Sequence, residues 1–312
     1  MSHPKITVVG AGNVGASCAL WAAMRDLGDV VLLDVVEGLA AGKALDLQQA
    51  APIVGFAHTV TGTTDYAATA GSDLAILTAG LARKPGMSRD DLLARNAEIT
   101  STVVRNLVAA SPQAVLLVVA NPVDAMTALA HRVSHLAPRR IVGMAGVLDS
   151  ARMRTFIAQE AGVSPKDVQA YVLGGHGDTM VPLVRHSSIG GVPLAKRLAK
   201  DAIERIVART RGGGAEIVAL LKTGSAFYAP AAAAVDMAQA ILRDEKRVLP
   251  CAAWCDAEYG VGGCFVGVPA RLGAGGVQEV LEFDLAAEER AAFDASVAAV
   301  RGLVAALGKL GY

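Results

Sequence analysis

Apolar runs alternate with helical-period segments along the first half of the chain. Ile6-Thr7-Val8-Val9 is followed by a glycine-rich turn and then by apolar positions spaced as on one helix face, which predicts strand, turn and helix. The same order recurs. Val30-Val31-Leu32-Leu33, a short run at 58–60, Asp73-Leu74-Ala75-Ile76-Leu77-Thr78, 114–120 and 140–143 read as strands; 37–49, ending before Pro52, and about 90–110 read as helices. These strands are apolar throughout rather than alternating, as strands covered on both faces are. Near Gly146-Val147-Leu148-Asp149 the pattern changes. A helix from 149, a strand at 168–173, a helix at 194–210 broken by Gly212-Gly213-Gly214, helices at 215–221 and 229–242, antiparallel strands at 247–254, 263–268 and 276–281, and a terminal helix at 286–307 are expected. The fold class is therefore α/β: a doubly wound parallel sheet in residues 1–147, followed by an α+β domain in residues 148–312.

Composition sharpens this picture. The 312 residues are 53% hydrophobic but only 4% aromatic, which suits small side chains packed between helices and a parallel sheet. Lys plus Arg and Asp plus Glu number 29 each, with no basic run, so no nucleic-acid footprint is expected. No run of 18 consecutive apolar residues occurs, so no membrane helix is expected. Met1-Ser2-His3-Pro4-Lys5 leads straight into the first strand, which leaves no room for a signal peptide and points to the cytoplasm. Cys18, Cys251, Cys255 and Cys264 are too few and too uneven for a disulfide framework; they read as buried thiols, without a fourth zinc ligand near the last three. The helix at 37–49 carries more apolar surface than one sheet face needs, for a subunit interface or for an intramolecular core.

The candidate chemistry begins at Gly10-Ala11-Gly12-Asn13-Val14-Gly15. In a strand–turn–helix unit, three glycines so spaced allow a tight turn, close approach of a diphosphate, and close packing of helix on strand. Asp34 ends the second strand about twenty residues past the turn, where a carboxylate accepts ribose hydroxyls and repels a 2′-phosphate, which argues for NAD over NADP. Ala79-Gly80 closes another strand beside that cleft. The segment from Leu81 to Asp91 is polar and carries Arg83, Lys84 and Arg89, with Gly80 and Gly86 placed as hinges; a lid carrying charge to an anionic ligand and a solvated loop both fit it. Asn121-Pro122-Val123-Asp124 puts an amide at a strand's carboxyl end, where ligands of open α/β sheets sit. Asp149 and Arg152 share a helix face, pointing into one cleft or forming a plain ion pair. His176 lies in Gly174-Gly175-His176-Gly177-Asp178, on backbone able to approach a ligand closely, a setting that the other five histidines lack.

Taken together, these five motifs in this order resemble the lactate/malate dehydrogenase family, in its lactate-dehydrogenase-like malate branch, over essentially the whole chain. The resemblance implies His176 as proton acceptor and donor, Asp149 as its orienting carboxylate, Arg152 as clamp on the substrate's C1 carboxylate, Arg89 against the reacting oxygen, and Asn121 positioning substrate and nicotinamide. It implies a cofactor set of Gly10, Gly12, Asn13, Val14, Gly15, Asp34, Thr78, Ala79, Gly80, Asn96, Val119 and Asn121, no metal, and a homodimer or homotetramer. Lactate-specific relatives typically carry glutamine where this chain has Arg83, so a dicarboxylate substrate is expected, and with it interconversion of (S)-malate and oxaloacetate. L-lactate dehydrogenase is the alternative within the family. A catalytically silent NAD-binding regulator would be expected to lack the histidine or the clamp, and both are present.

Overall fold

A computed structural model describes residues 3–81 and 89–312. Six parallel strands run in the order β6-β5-β4-β1-β2-β3: β1 (Lys5–Val9), β2 (Asp29–Leu33), β3 (Val60–Thr63), β4 (Leu74–Leu77), β5 (Val115–Val118) and β6 (Ile141–Gly143). The order reverses between β1 and β4, and a doubly wound sheet opens its ligand crevice at such a reversal. Burial on both faces explains the unbroken apolar runs. Leu74 and Ile76 enter one core and Ala75 and Leu77 the opposite one. Each such large side chain contributes roughly 1.5–3 kcal/mol by leaving water. The helices α1 (Asn13–Met24) and α7 (Tyr228–Leu242) pack together in the first core through alanines, including Ala19, Ala22, Ala234 and Ala238, so few aromatics are needed. The second core is covered by α3 (Arg89–Ala110) and α4 (Val123–Ser134).

The second half extends the same sheet. The antiparallel strands β12 (Arg247–Cys255), β13 (Cys264–Gly273) and β14 (Gly276–Val280) join β6 through Ala252 opposite Gly143, making nine strands. A Cβ on Gly143 would lie 2.9 Å from that of Ala252 and 2.5 Å from Thr127 Oγ1, so the junction requires glycine. A third core forms where α5 (Gly146–Ala161) and α6 (Lys200–Leu221) meet, around Met153, Ile157 and Ile206. Because α5 starts at Gly146, the division expected at 147/148 falls inside its first turn.

Several expected elements differ, among them the helix expected from 194, which begins at Lys200 after a 3-10 turn at Leu194–Lys196. The helix α2 (Leu39–Val54) does not stop before Pro52 but carries it in its last turn and ends at Gly55, whose φ of 92° is left-handed. The strand expected at 168–173 divides into β7 (Val168–Gln169) and β8 (Val172–Leu173), which pair in different small sheets. Most consequentially, Gly212, Gly213 and Gly214 do not break a helix: α6 runs through them unbroken. Its buried residues Ala202, Ile206, Thr210 and Gly213 keep one helical stripe.

The four cysteines are free and buried. Burial pushes the Cys18 and Cys255 thiols up to about 12. By length and composition alone α8 (Ala287–Lys309) is apolar enough to cross a bilayer, although charged residues interrupt its alanines so that no unbroken apolar run marks it. In the fold it buries Phe293, Val297, Val300 and Leu307 in the two main cores.

Candidate active site

The crevice is built at the carboxyl ends of β1, β4 and β5. Gly10 has a φ of 99°, and a Cβ there would lie 2.8 Å from Ala79 N, so only glycine lets the turn rest against the end of β4. Thr78 fastens that contact by donating to the carbonyls of Val9 and Gly10 at 2.9 and 3.0 Å. A Cβ on Gly15 would lie 1.7 Å from Gly10 O, so α1 sits hard against the turn. A Cβ on Gly12 would meet nothing within 4 Å: it faces open space, which is the room a diphosphate needs. Gly12 is the N-cap of α1 without a side-chain cap, so the unpaired first amides, from Asn13 and Val14 onward, face that space.

Asp34 directly follows β2 and faces the glycine turn. Its Oδ2 accepts the Ala11 N–H at 2.6 Å and its Oδ1 the Val36 N–H at 2.9 Å, so the carboxylate is aimed by the turn itself. Each oxygen keeps a further lone pair for a ribose hydroxyl. Just past β5, Val119 is buried and Asn121 is exposed. Buried Asn96 spends its whole amide on backbone: Oδ1 accepts Leu81 N–H at 2.7 Å, and Nδ2 donates to Leu81 O at 3.1 Å and Asn121 O at 2.6 Å. Its side chain thus serves by holding Leu81 and Asn121 in place. Arg83 lies outside the described residues; Arg89 opens α3, with its side chain outside them.

Proton chemistry gathers on one carboxylate. Asp149, in the first turn of α5 and 1% exposed, accepts from His176 Nδ1 at 2.8 Å through Oδ2 and from Arg152 Nη1 at 3.1 Å through Oδ1. Burial disfavours the charged imidazole, but Asp149, helped by Asp124 and opposed by Arg152, outweighs it and raises the His176 pKa above 6.5. With Nδ1 held, Nε2 is the nitrogen left to exchange a proton. Arg152 Nε is buried without a hydrogen-bond partner among the described residues, so part of this guanidinium's donor capacity is unspent. The glycines around His176 are structural necessities: Gly174 has φ 81°, and a Cβ on Gly175 would lie 2.8 Å from Val300.

The glycines of α6 escaped the sequence reading as site residues. A Cβ on Gly213 would lie 3.1 Å from Arg152 Cδ, and one on Gly214 3.7 Å from Arg152 Nη2, so this stretch makes room for the arginine. The signal was the unbroken helical phase across the triplet.

Comparison with known proteins gives the family and the fold. The family model described as lactate/malate dehydrogenase, NAD binding domain, matches residues 4–143, and that of the family's alpha/beta C-terminal domain matches residues 146–305. The chain belongs to the lactate/malate dehydrogenase family. It is 57% identical to a malate dehydrogenase of Rhodopirellula baltica over 312 residues, 99% of each chain. Among solved structures, a malate dehydrogenase from Salinibacter ruber superposes with a TM-score of 0.95 at 51% identity, covering 98% of both chains. A lactate dehydrogenase from Cryptosporidium parvum, complexed with lactic acid and nicotinamide adenine dinucleotide, gives 0.96 at 42% identity, covering 99% of both. Both branches of the family share this fold, so the choice of substrate rests on side chains. The cofactor of the family's first domain is NAD, and the glycine turn, the free end of α1 and Asp34 fit it.

Proposed function

We propose that this chain oxidises (S)-malate to oxaloacetate, and reduces it back, with NAD. Residues 1–147 hold the cofactor, and residues 148–312 supply the acid–base pair and the clamp. The observation that carries the reading is Asp149, one buried carboxylate that holds both His176 and Arg152.

Oxidation of a secondary alcohol removes two hydrogens, one as hydride and one as proton. Bound NAD supplies the hydride acceptor. His176 takes the hydroxyl proton at Nε2, and Asp149 fixes the tautomer that leaves Nε2 free and stabilises the imidazolium that forms. In reverse, the imidazolium returns the proton to the keto oxygen, which Arg89 polarises. Arg152 offers the planar fork that a C1 carboxylate accepts, so the reacting carbon is oriented before hydride moves. Arg83 meets the distal carboxylate, the group that separates malate from lactate. Asn121, held through its carbonyl by Asn96, positions substrate and nicotinamide.

The assay is NADH absorbance with oxaloacetate, with pyruvate and with neither. Fast oxidation with oxaloacetate and slow oxidation with pyruvate is the expected result; preference for pyruvate would favour the lactate branch, and no turnover would leave only a cofactor-binding role.

The enzyme acts in the cytoplasm as a homo-oligomer. Four free thiols suit a reducing compartment. Exposed apolar side chains on α2 support association: Ile53 is 87% and Leu45 60% exposed. Light scattering coupled to size exclusion tests it, and a mass near 31.9 kDa would refute it.

A further inference from the structure

The mechanism uses one buried carboxylate, yet the site contains two. Asp124 lies in the first turn of α4, on the cofactor-domain side, and is 3% exposed. Its Oδ2 accepts the backbone N–H of His176 at 2.9 Å, across 52 residues of sequence. A Cβ on Gly175 would lie in ordinary contact with the same oxygen at 3.4 Å, so Asp124 tolerates it there; it is the 2.8 Å approach to Val300 that calls for glycine. The other oxygen, Oδ1, is buried and has no partner among the described residues.

We propose that Asp124 is a positioning residue that anchors His176 through its backbone and, as a second negative charge behind the ring, favours the imidazolium. The reasoning rests on the acid–base role of His176. Asp149 grips the ring and Asp124 grips the main chain, so the imidazole is fixed from two elements belonging to different domains. Carboxylates are costly to bury. A backbone amide alone needs only a neutral acceptor, and a serine or asparagine would serve; an ionisable acid there adds charge that responds to the histidine. Burial, partly offset by the His176 amide and the imidazole, pushes the Asp124 pKa up to about 6, with Asp149 adding repulsion. The groups facing this carboxylate are therefore His176, Asp149 and, from β13, Cys264, itself beside Arg301 of α8.

Asp124→Asn keeps an acceptor for the His176 amide and deletes the charge. In that variant the pH at which kcat/KM breaks should move down by roughly one unit in both reaction directions, the low end of what a nearby opposite charge does. A purely structural role would lower the plateau and leave the break in place, and that result would overturn the proposal. The same shift should appear in the ligand-free protein when the His176 Cε1–H resonance is titrated by NMR, a reading independent of whether oxaloacetate is the substrate. Asp124→Ala, which also strips the amide of its acceptor, should in addition lower kcat. NADH fluorescence titration and thermal melting establish that each variant is folded. Should the variants not fold, the unmodified protein still decides: the His176 backbone amide must titrate in step with the Asp124 carboxyl carbon, and an amide that does not respond refutes the contact.

Discussion

Replacing the three glycines of α6 one at a time by alanine separates helix stability from substrate binding. In a helix interior alanine is better than glycine by roughly 0.5–1 kcal/mol, so each change alone should stabilise the fold. What the added methyl meets then decides the outcome. At Gly212 it meets nothing within 4 Å, and at Gly214 its nearest neighbour is Arg152 Nη2 at 3.7 Å, an ordinary contact. At Gly213 it meets Arg152 Cδ at 3.1 Å, tighter than a packed side chain accepts, so the arginine must give by a few tenths of an ångström. Arg152 is held by its 3.1 Å bond to Asp149, and a shift that stretches this bond would tilt the fork that the proposed clamp presents to a carboxylate. Hydrogen bonds to charged groups are worth about 1.5–3 kcal/mol. Losing a part of one such pairing costs roughly 1 kcal/mol, about five-fold in kcat/KM for oxaloacetate, mainly through KM because the clamp holds ground and transition states alike. Thermal melts and steady-state kinetics of the three variants are the assay. Gly212→Ala should raise Tm with KM unchanged, and Gly213→Ala should raise KM. Equal kinetics at 212 and 213 would refute the reasoning.

Arg83→Gln should lower the ratio of oxaloacetate to pyruvate kcat/KM by tens-fold or more, since one unpaired charge in a closed site is worth roughly 2–5 kcal/mol; an unchanged ratio would place selectivity elsewhere. Asp34→Ser should weaken NADH use and admit NADPH, measured with both cofactors, and equal rates of the unmodified enzyme with NADPH would remove Asp34 from cofactor choice. The pH profile carries its own sign. Since His176 is raised above 6.5, malate oxidation should climb through a break above that value and oxaloacetate reduction should fall through it; Asp149→Asn should move the break downward and cut kcat. The same raised pKa makes the His176–Asp149 pair stabilise the fold fully below pH 6.5 and lose that contribution as pH rises through the folded value, which denaturation midpoints across this window would record.

What could be read from the chain alone was whatever local backbone or burial dictates. The turn at 10–15 had to be glycine because the spaces at Gly10 and Gly15 admit no Cβ, and unbroken apolar runs mark strands covered on both faces. The parallel order and the second domain's mixed character followed from that. What escaped depends on partners distant in sequence. The single junction of Ala252 with Gly143, which merges the two domains' strands into one sheet, leaves no periodic trace. The division of 168–173 is imposed by two different pairing partners, Ser188–Ile189 and Val181–Pro182. Propensity alone marks Gly213 as a breaker, because it carries no information about Arg152, the neighbour that favours its small size. Asp124 was visible only as a helix start, since nothing near it in sequence announces an amide 52 residues away.

His176→Asn tests the central claim most directly, because it keeps a polar side chain of similar size and removes the titratable ring. General acid–base help is worth roughly 10² to 10⁴ in rate. The account predicts a loss of that size in kcat for oxaloacetate, with NADH binding unchanged by fluorescence titration. Turnover equal to that of the unmodified enzyme would contradict it.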